Sequence, residues 1–278
     1  DEENSNAFTE PFVDELLAVF DEVGADKSVK VVILAGLPNV WCAGAHRSLL
    51  LGLAEGEMDA SDIVLSKALL DVPIPTIAAM EGHAVGGGLA LGLCCDVLVM
   101  ARESRYGCSF MNMGFTPGMG ITRLLQEAVG EYKAREMMLG GQMFKGTHFE
   151  STGINYVLRK ERVFWKAQQI AMRIAEKPRF ALELLKADLS IRHRQLFELT
   201  RTRESAMHKL CFGRPETQAL IRENYIHNIG GAGIHAVARP DGGEDRHQIL
   251  DPVEHGRQRG PNEDRIRHPE ARGQPLHE

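Results

Sequence analysis

Between residues 72 and 101 the chain reads VPIPTIAAMEGHAVGGGLALGLCCDVLVMA, and this stretch restricts the possible folds more than any other. Thr76–Ile77–Ala78–Ala79–Met80 and Val97–Leu98–Val99–Met100 are short apolar runs. Such runs read as strands covered on both faces, as in a parallel sheet. Gly86–Gly87–Gly88 and a short apolar helix reaching Cys95 separate them. Strand, glycine turn, helix and strand make a βαβ unit, which implies a layered α/β core.

The flanking sequence extends the theme. Thr9 offers an N-cap and Pro11 an early helical residue. Phe12, Leu16, Leu17, Phe20 and Val23 then recur at helical spacing up to Gly24. Val29 to Ala35 is expected to form another strand buried on both faces. Ser61 is expected to open a helix through Leu70, stopped by Pro73 and Pro75. Residues 120–139 and 162–226 are expected to be helical, with Val157 near a last strand.

Composition changes sharply near the end. From His227 to Glu278, 52 residues, there is no Phe, Trp, Tyr or Lys, yet 6 of the 11 histidines and 5 of the 12 prolines fall there. One catalytic domain over 1–226 is therefore expected, followed by a disordered or non-native tail over 227–278. Formal charge is −6 with no basic run, so nucleic acid is not an expected partner. No apolar run reaches the roughly 18 to 20 residues that span a bilayer. Five cysteines without a CxxC pair suit free thiols in a reducing cytoplasm better than a disulfide frame or a metal site. The first residue is Asp1 rather than Met, so a processed chain or a piece of a longer one is expected.

The three glycines do not fit a nucleotide motif. GxGxxG from Gly86 would need glycine where Leu91 stands, and no Gly-Lys-Ser/Thr follows. Two readings remain: the glycines permit close packing, or they bring bare N–H groups to a ligand at a helix N-terminus. Trp41–Cys42–Ala43–Gly44–Ala45, after the strand ending at Ala35, offers a second small-residue loop. Two such loops aimed at one oxygen make an oxyanion hole, which stabilises an enolate or a tetrahedral anion.

On NAFTEPFVDELLAVFDEV, VKVVILAG, WCAGA, the 72–101 run, GFTPGMGITRLL and IAEKPRFALELLKADL, the chain resembles the enoyl-CoA hydratase/isomerase (crotonase) superfamily. The pieces cover about residues 5 to 226 in the family's order and spacing. The resemblance implies an α/β, crotonase-like layered core of repeated ββα/βα units with a helical C-terminal region. It implies oxyanion donors at the backbone N–H groups of Ala45 and Gly87. It also implies substrates carried as phosphopantetheine or CoA thioesters, on an acyl carrier protein or as acyl-CoA, no cofactor or metal, and homotrimers or hexamers. The family's first strand, ahead of Ala7, is expected to be missing.

Family hydratases use two glutamates for proton transfer; those positions hold Ala90 and Phe110 here. Neither can move a proton. Keeping the anion site without the acids points to decarboxylation, in which departing CO₂ leaves its electrons in a thioester (di)enolate. IPTIAAMEGHAVGGGLALGL and SFMNMGFTPGMG look most like the decarboxylating homologues of polyketide β-branching cassettes, which convert a carrier-bound 3-methylglutaconyl group to 3-methylcrotonyl. That likeness assigns a pocket histidine to His208, for proton donation or carboxylate orientation, with a plain helix histidine as the rival reading. It also calls for a lysine eight residues past Ala45 to hold the carboxylate, where Leu53 stands. His46 and Arg47 are candidate substitutes. Trp41, Gly86 and Phe110 are candidate walls of the acyl pocket, or core packing. The rival functions are an enoyl-thioester hydratase/isomerase and an inactive scaffold subunit.

Overall fold

A computed structural model describes residues 1–58 and 64–225. Ser61 and the 227–278 stretch lie outside the described residues. Strand β1 (Ala7–Phe8) precedes helix α1 (Glu10–Ala25), whose N-cap Thr9 accepts from the Phe12 N–H at 3.4 Å. Strands β2 (Val32–Ala35), β3 (Val40–Cys42) and β4 (Gly44–Ala45) lead to α2 (Arg47–Glu55), and α3 (Leu65–Asp71) follows. Then come β5 (Thr76–Met80), β6 (His83–Val85) and α4 (Gly87–Leu93). β7 (Val97–Ala101) and β8 (Arg105–Gly107) lead through a 3-10 turn, Ser109–Met113, to α5 (Ile121–Val129) and α6 (Glu131–Gly140). β9 (Met143–Lys145) and β10 (Tyr156–Leu158) precede a run of α7 (Val163–Ala175), α8 (Arg179–Leu189), α9 (Ile191–Phe212) and α10 (Pro215–Asn224). No helix of the described residues is long and apolar enough to cross a membrane.

Each successive strand pair feeds two sheets. β2, β5 and β7 join β10 in an all-parallel sheet ordered β10-β7-β5-β2. Their followers β3, β6 and β8 form a second sheet, closed by antiparallel β9. This is the repeated ββα/βα plan of the crotonase fold. In β5 and β7, Ile77, Ala79, Val99 and Ala101 pack against Val163, Ala167 and Ala171 of α7. Ala78, Met80, Leu98 and Met100 enter the main core on the other face. Two covered faces explain why these strands lack polar alternation.

The Val29–Ala35 run departs from expectation. Its strand starts only at Val32 and forms the sheet edge, half-buried rather than enclosed. An edge strand has a neighbour on one side only, so its residues keep some solvent contact. The 120–139 stretch is broken by Gly130, which has φ +87° and both ends α5 and starts α6. The two-residue β1 pairs in parallel with β4 (Ala7↔Gly44, Phe8↔Ala45).

Buried polar groups tie the helical region to this frame. Glu204 of α9 is 2% exposed and accepts from Gly120 N (2.7 Å), Thr122 N (3.1 Å) and Thr122 Oγ1 (2.6 Å). The carboxylate thus takes up free N–H groups at the start of α5, where negative charge is favoured. Lys186 of α8 pairs with Asp96, which also accepts from Thr76 N at 2.7 Å.

Candidate active site

Two backbone loops meet in the main core. Gly44 has φ +81°, and a Cβ there would lie 2.5 Å from the Val85 carbonyl oxygen and 3.3 Å from Gly87 N. Only glycine lets β4 press this closely on the glycine turn. In the β1–β4 ladder the His46 N–H donates to Phe8 O at 3.1 Å. With Phe8 registered on Ala45, the N–H and C=O of Ala45 turn away from β1. Gly87 is the first residue of α4, and the first i→i−4 bond runs from Ala90 N to Gly86 O at 3.0 Å. Its N–H is therefore one of the helix's unclaimed donors. The geometry brings the main chains of Gly44–Ala45 and Gly87 side by side.

The three glycines face different neighbours. Gly86 has φ +53°, and a Cβ on it would sit 3.4 Å from the Phe110 ring. A Cβ on Gly87 would meet Met119 Sδ at 2.8 Å and Phe8 at 3.0 Å. On Gly88 it would lie 2.5 Å from the Cys42 carbonyl oxygen. All three are closely packed, Gly88 against the backbone of Cys42 and Gly86 and Gly87 against side chains, Phe110 for the first and Met119 and Phe8 for the second. The packing reading of the motif is met at all three positions, and the Gly87 N–H at the start of α4 leaves the ligand reading open as a proposal.

His208 packs against the Thr116–Gly120 loop. Its Nε2 is 2.8 Å from Thr116 O, and a Cβ on Gly118 would touch the ring. The imidazole also meets Phe115 edge-on at 6.2 Å, Phe115 meets Phe110 at 5.9 Å, and Phe110 covers Gly86. An aromatic relay and one loop thus join His208 to the glycine turn. Burial, the largest effect, holds the imidazole below its ordinary range, against hydrogen bonding to Thr116 and the charge of Glu204.

The other candidates fall around this centre. Phe110, 7% exposed, walls the turn. Trp41 sits in the core beneath it, its Nε1 donating to Leu34 O at 3.3 Å. His46 caps α2, its Nδ1 accepting from Ser48 N. The Arg47 guanidinium is directed to α10, with Nη2 at 3.5 Å from Arg222 O and a buried Nε that has no partner. Leu53 is buried among core residues. Ala90 is buried in the middle of α4, and Phe110 is in the 3-10 turn. His83 accepts from Arg105 N at 2.8 Å and so fixes the loop before the glycines. A surface groove lined by Arg102, Tyr156, Arg159, Arg162, Trp165 and Lys166 shares no residue with this centre.

Sequence reasoning passed over Gly44 and Met119. The signal for Gly44 was a lone glycine inside WCAGA; Met119, with φ +64°, had none.

Two interleaved sheets with paired main-chain donors at the β4–α4 contact define the class: the chain belongs to the enoyl-CoA hydratase/isomerase family, which it matches over residues 1–224. Within it, the chain is 34% identical over 226 residues to the bacillaene synthase decarboxylase PksI of Bacillus subtilis, covering 81% of this chain and 91% of that protein. A solved structure from a dehydratase/decarboxylase enzyme couple involved in polyketide β-branching superposes with TM-score 0.78 at 34% identity, over 81% and 92% of the two chains. The ECH2 decarboxylase domain of CurF from Lyngbya majuscula gives TM-score 0.75 at 36% identity over the same shares.

Proposed function

We propose that this protein removes CO₂ from a 3-methylglutaconyl-type acyl thioester carried on an acyl carrier protein. The single observation that carries the reading is the pair of free main-chain donors, Ala45 and Gly87, beside two positions, Ala90 and Phe110, unable to transfer a proton. Such a site holds an oxyanion but does not activate water. The carbon–carboxylate bond breaks, its electron pair enters the conjugated thioester, and the developing oxygen anion rests on the two N–H groups. A proton then returns to carbon. Decarboxylating relatives at 34–36% identity support this choice over hydration.

His208 is the group for the proton or the carboxylate. As a neutral imidazole it donates from Nε2 to Thr116 O and presents Nδ1 as an acceptor. A bound substrate carboxylate raises its proton affinity, turning Nδ1 into a donor. Leu53 brings no charge. Arg47 is turned to α10 and His46 caps α2, which leaves His208 as the proposed partner of the carboxylate, neutral until that carboxylate binds. The domain doing this work is 1–226, as a homotrimer or hexamer, with no metal or redox cofactor required by the chemistry. The exposed apolar side chains of α8, Phe180, Leu184, Leu185 and Leu189, support such an assembly.

Intact-mass measurement on a 3-methylglutaconyl-loaded carrier protein tests the reading. Loss of CO₂ is expected, slowed at least about 100-fold in His208→Ala and abolished in Gly87→Val. Gain of water would assign a hydratase instead. An unchanged mass with carrier still bound would leave a scaffold subunit.

A further inference from the structure

The Tyr225 hydroxyl donates to the Ala45 carbonyl oxygen at 3.2 Å, across 180 residues of chain. The same hydroxyl oxygen accepts from the Arg47 backbone N–H, an unclaimed donor of the first turn of α2. One phenol therefore spans the strand-to-helix junction at His46, and its ring meets the His46 imidazole edge-on at 6.4 Å. Tyr225 is the C-cap of α10. That helix is anchored by Thr217 Oγ1 donating to Gly114 O and by Gln218 Nε2 donating to Ala54 O, both at 3.0 Å.

The direction of the Ala45 carbonyl gives this contact its meaning. In an extended strand the N–H and C=O of one residue point to the same side. β1 engages Gly44 and leaves both groups of Ala45 on the opposite edge. An uncovered carbonyl there sets negative partial charge beside the oxygen that the Ala45 N–H is to stabilise. A hydroxyl donating to that carbonyl draws off the repulsion and restrains the peptide from turning.

We propose that Tyr225 is a positioning residue of the oxyanion site: its hydroxyl holds and shields the Ala45 carbonyl, so that the Ala45 N–H stays aimed at the thioester oxygen. The proposal rests on the assignment of Ala45 as an oxyanion donor. Burial raises the phenol above its ordinary range, so the hydroxyl keeps its proton through neutral pH.

The test compares the full chain with Tyr225→Phe, which keeps the ring and removes the hydroxyl. The probe is cinnamoyl-pantetheine, whose absorption moves to longer wavelength when its carbonyl is polarised. The unsubstituted protein is expected to shift the band, and Tyr225→Phe to shift it less. On the 3-methylglutaconyl carrier, kcat is expected to fall about tenfold, the rate equivalent of one hydrogen bond, with KM unchanged. An equal band shift and equal kcat in Tyr225→Phe would overturn the role of Tyr225 and leave Ala45 untouched. A lowered unfolding midpoint with an unaltered band shift would also overturn it, in favour of a structural role. No band shift even in the unsubstituted protein would remove the oxyanion assignment, and this proposal with it.

Discussion

His208 shows how a single residue is read differently by sequence and by structure. Its position in ESAMHKLCF marks it only through family resemblance, since a helix histidine alone has no distinguishing signal. The structure adds the Thr116 hydrogen bond, the Phe115 and Phe212 rings and the depressed proton affinity. The sign of the pH effect follows. The folded imidazole binds a proton only below the range of the unfolded one, so the unfolded chain carries more protons just under about pH 6.5. Stability is full above that pH and is lost as pH falls through the window down to the folded value. His83 and His193, also held low by burial, act in the same direction. Urea unfolding between pH 8 and pH 5 is therefore expected to show a midpoint that drops on the acid side, less steeply in His208→Gln. An equal slope in the two proteins would contradict this account. Ala45 and Gly87 are singled out by the family resemblance, the small-residue loops alone only suggesting an anion site; the role proposed for Tyr225 could not be read, because it depends on a contact 180 residues away.

At the scale of elements, legibility followed length and environment. β5 and β7 announce themselves because both faces are covered, and α1 because its cap and apolar stripe agree. β1 could not be read, since two residues carry no period and its partner β4 is equally short. The edge position of β2 was hidden too, because a β-branched run does not say how many neighbours it will have. The clasp between α9 and α5 was likewise silent: Glu204 looks like any helix glutamate until its oxygens are found on Gly120 and Thr122. Replacing it with alanine strands those donors in a buried place. Glu204→Ala is expected to cost about 1–3 kcal/mol, measured by denaturant unfolding. It is also expected to make His208 harder to protonate, since the carboxylate charge favours the imidazolium. A stability within error of the unsubstituted protein would argue that water replaces the carboxylate.

For the molecule as a whole, the two interleaved sheets divide the work. One sheet, backed by α7, forms the second core and holds the frame; the other carries its strand ends to the glycine turn. The family match ends at residue 224, where the aromatic-free stretch is about to begin. A chain cut after residue 226 is therefore expected to keep both its CO₂ release and its unfolding midpoint, checked by intact mass and calorimetry. Loss of either would give residues 227–278 a part in the catalytic unit. The contact of Gly44 with Val85 and Gly87 has an evolutionary corollary. On the proposed reading the anion is held by main chain, so mutation cannot remove the donors themselves; it can only crowd them with bulk or, as at Tyr225, loosen their aim. The choice of reaction then rests with a few side chains around it, at positions such as 53, 90, 110 and 208. A lineage can exchange water addition for CO₂ release there while inheriting the oxygen-binding part intact.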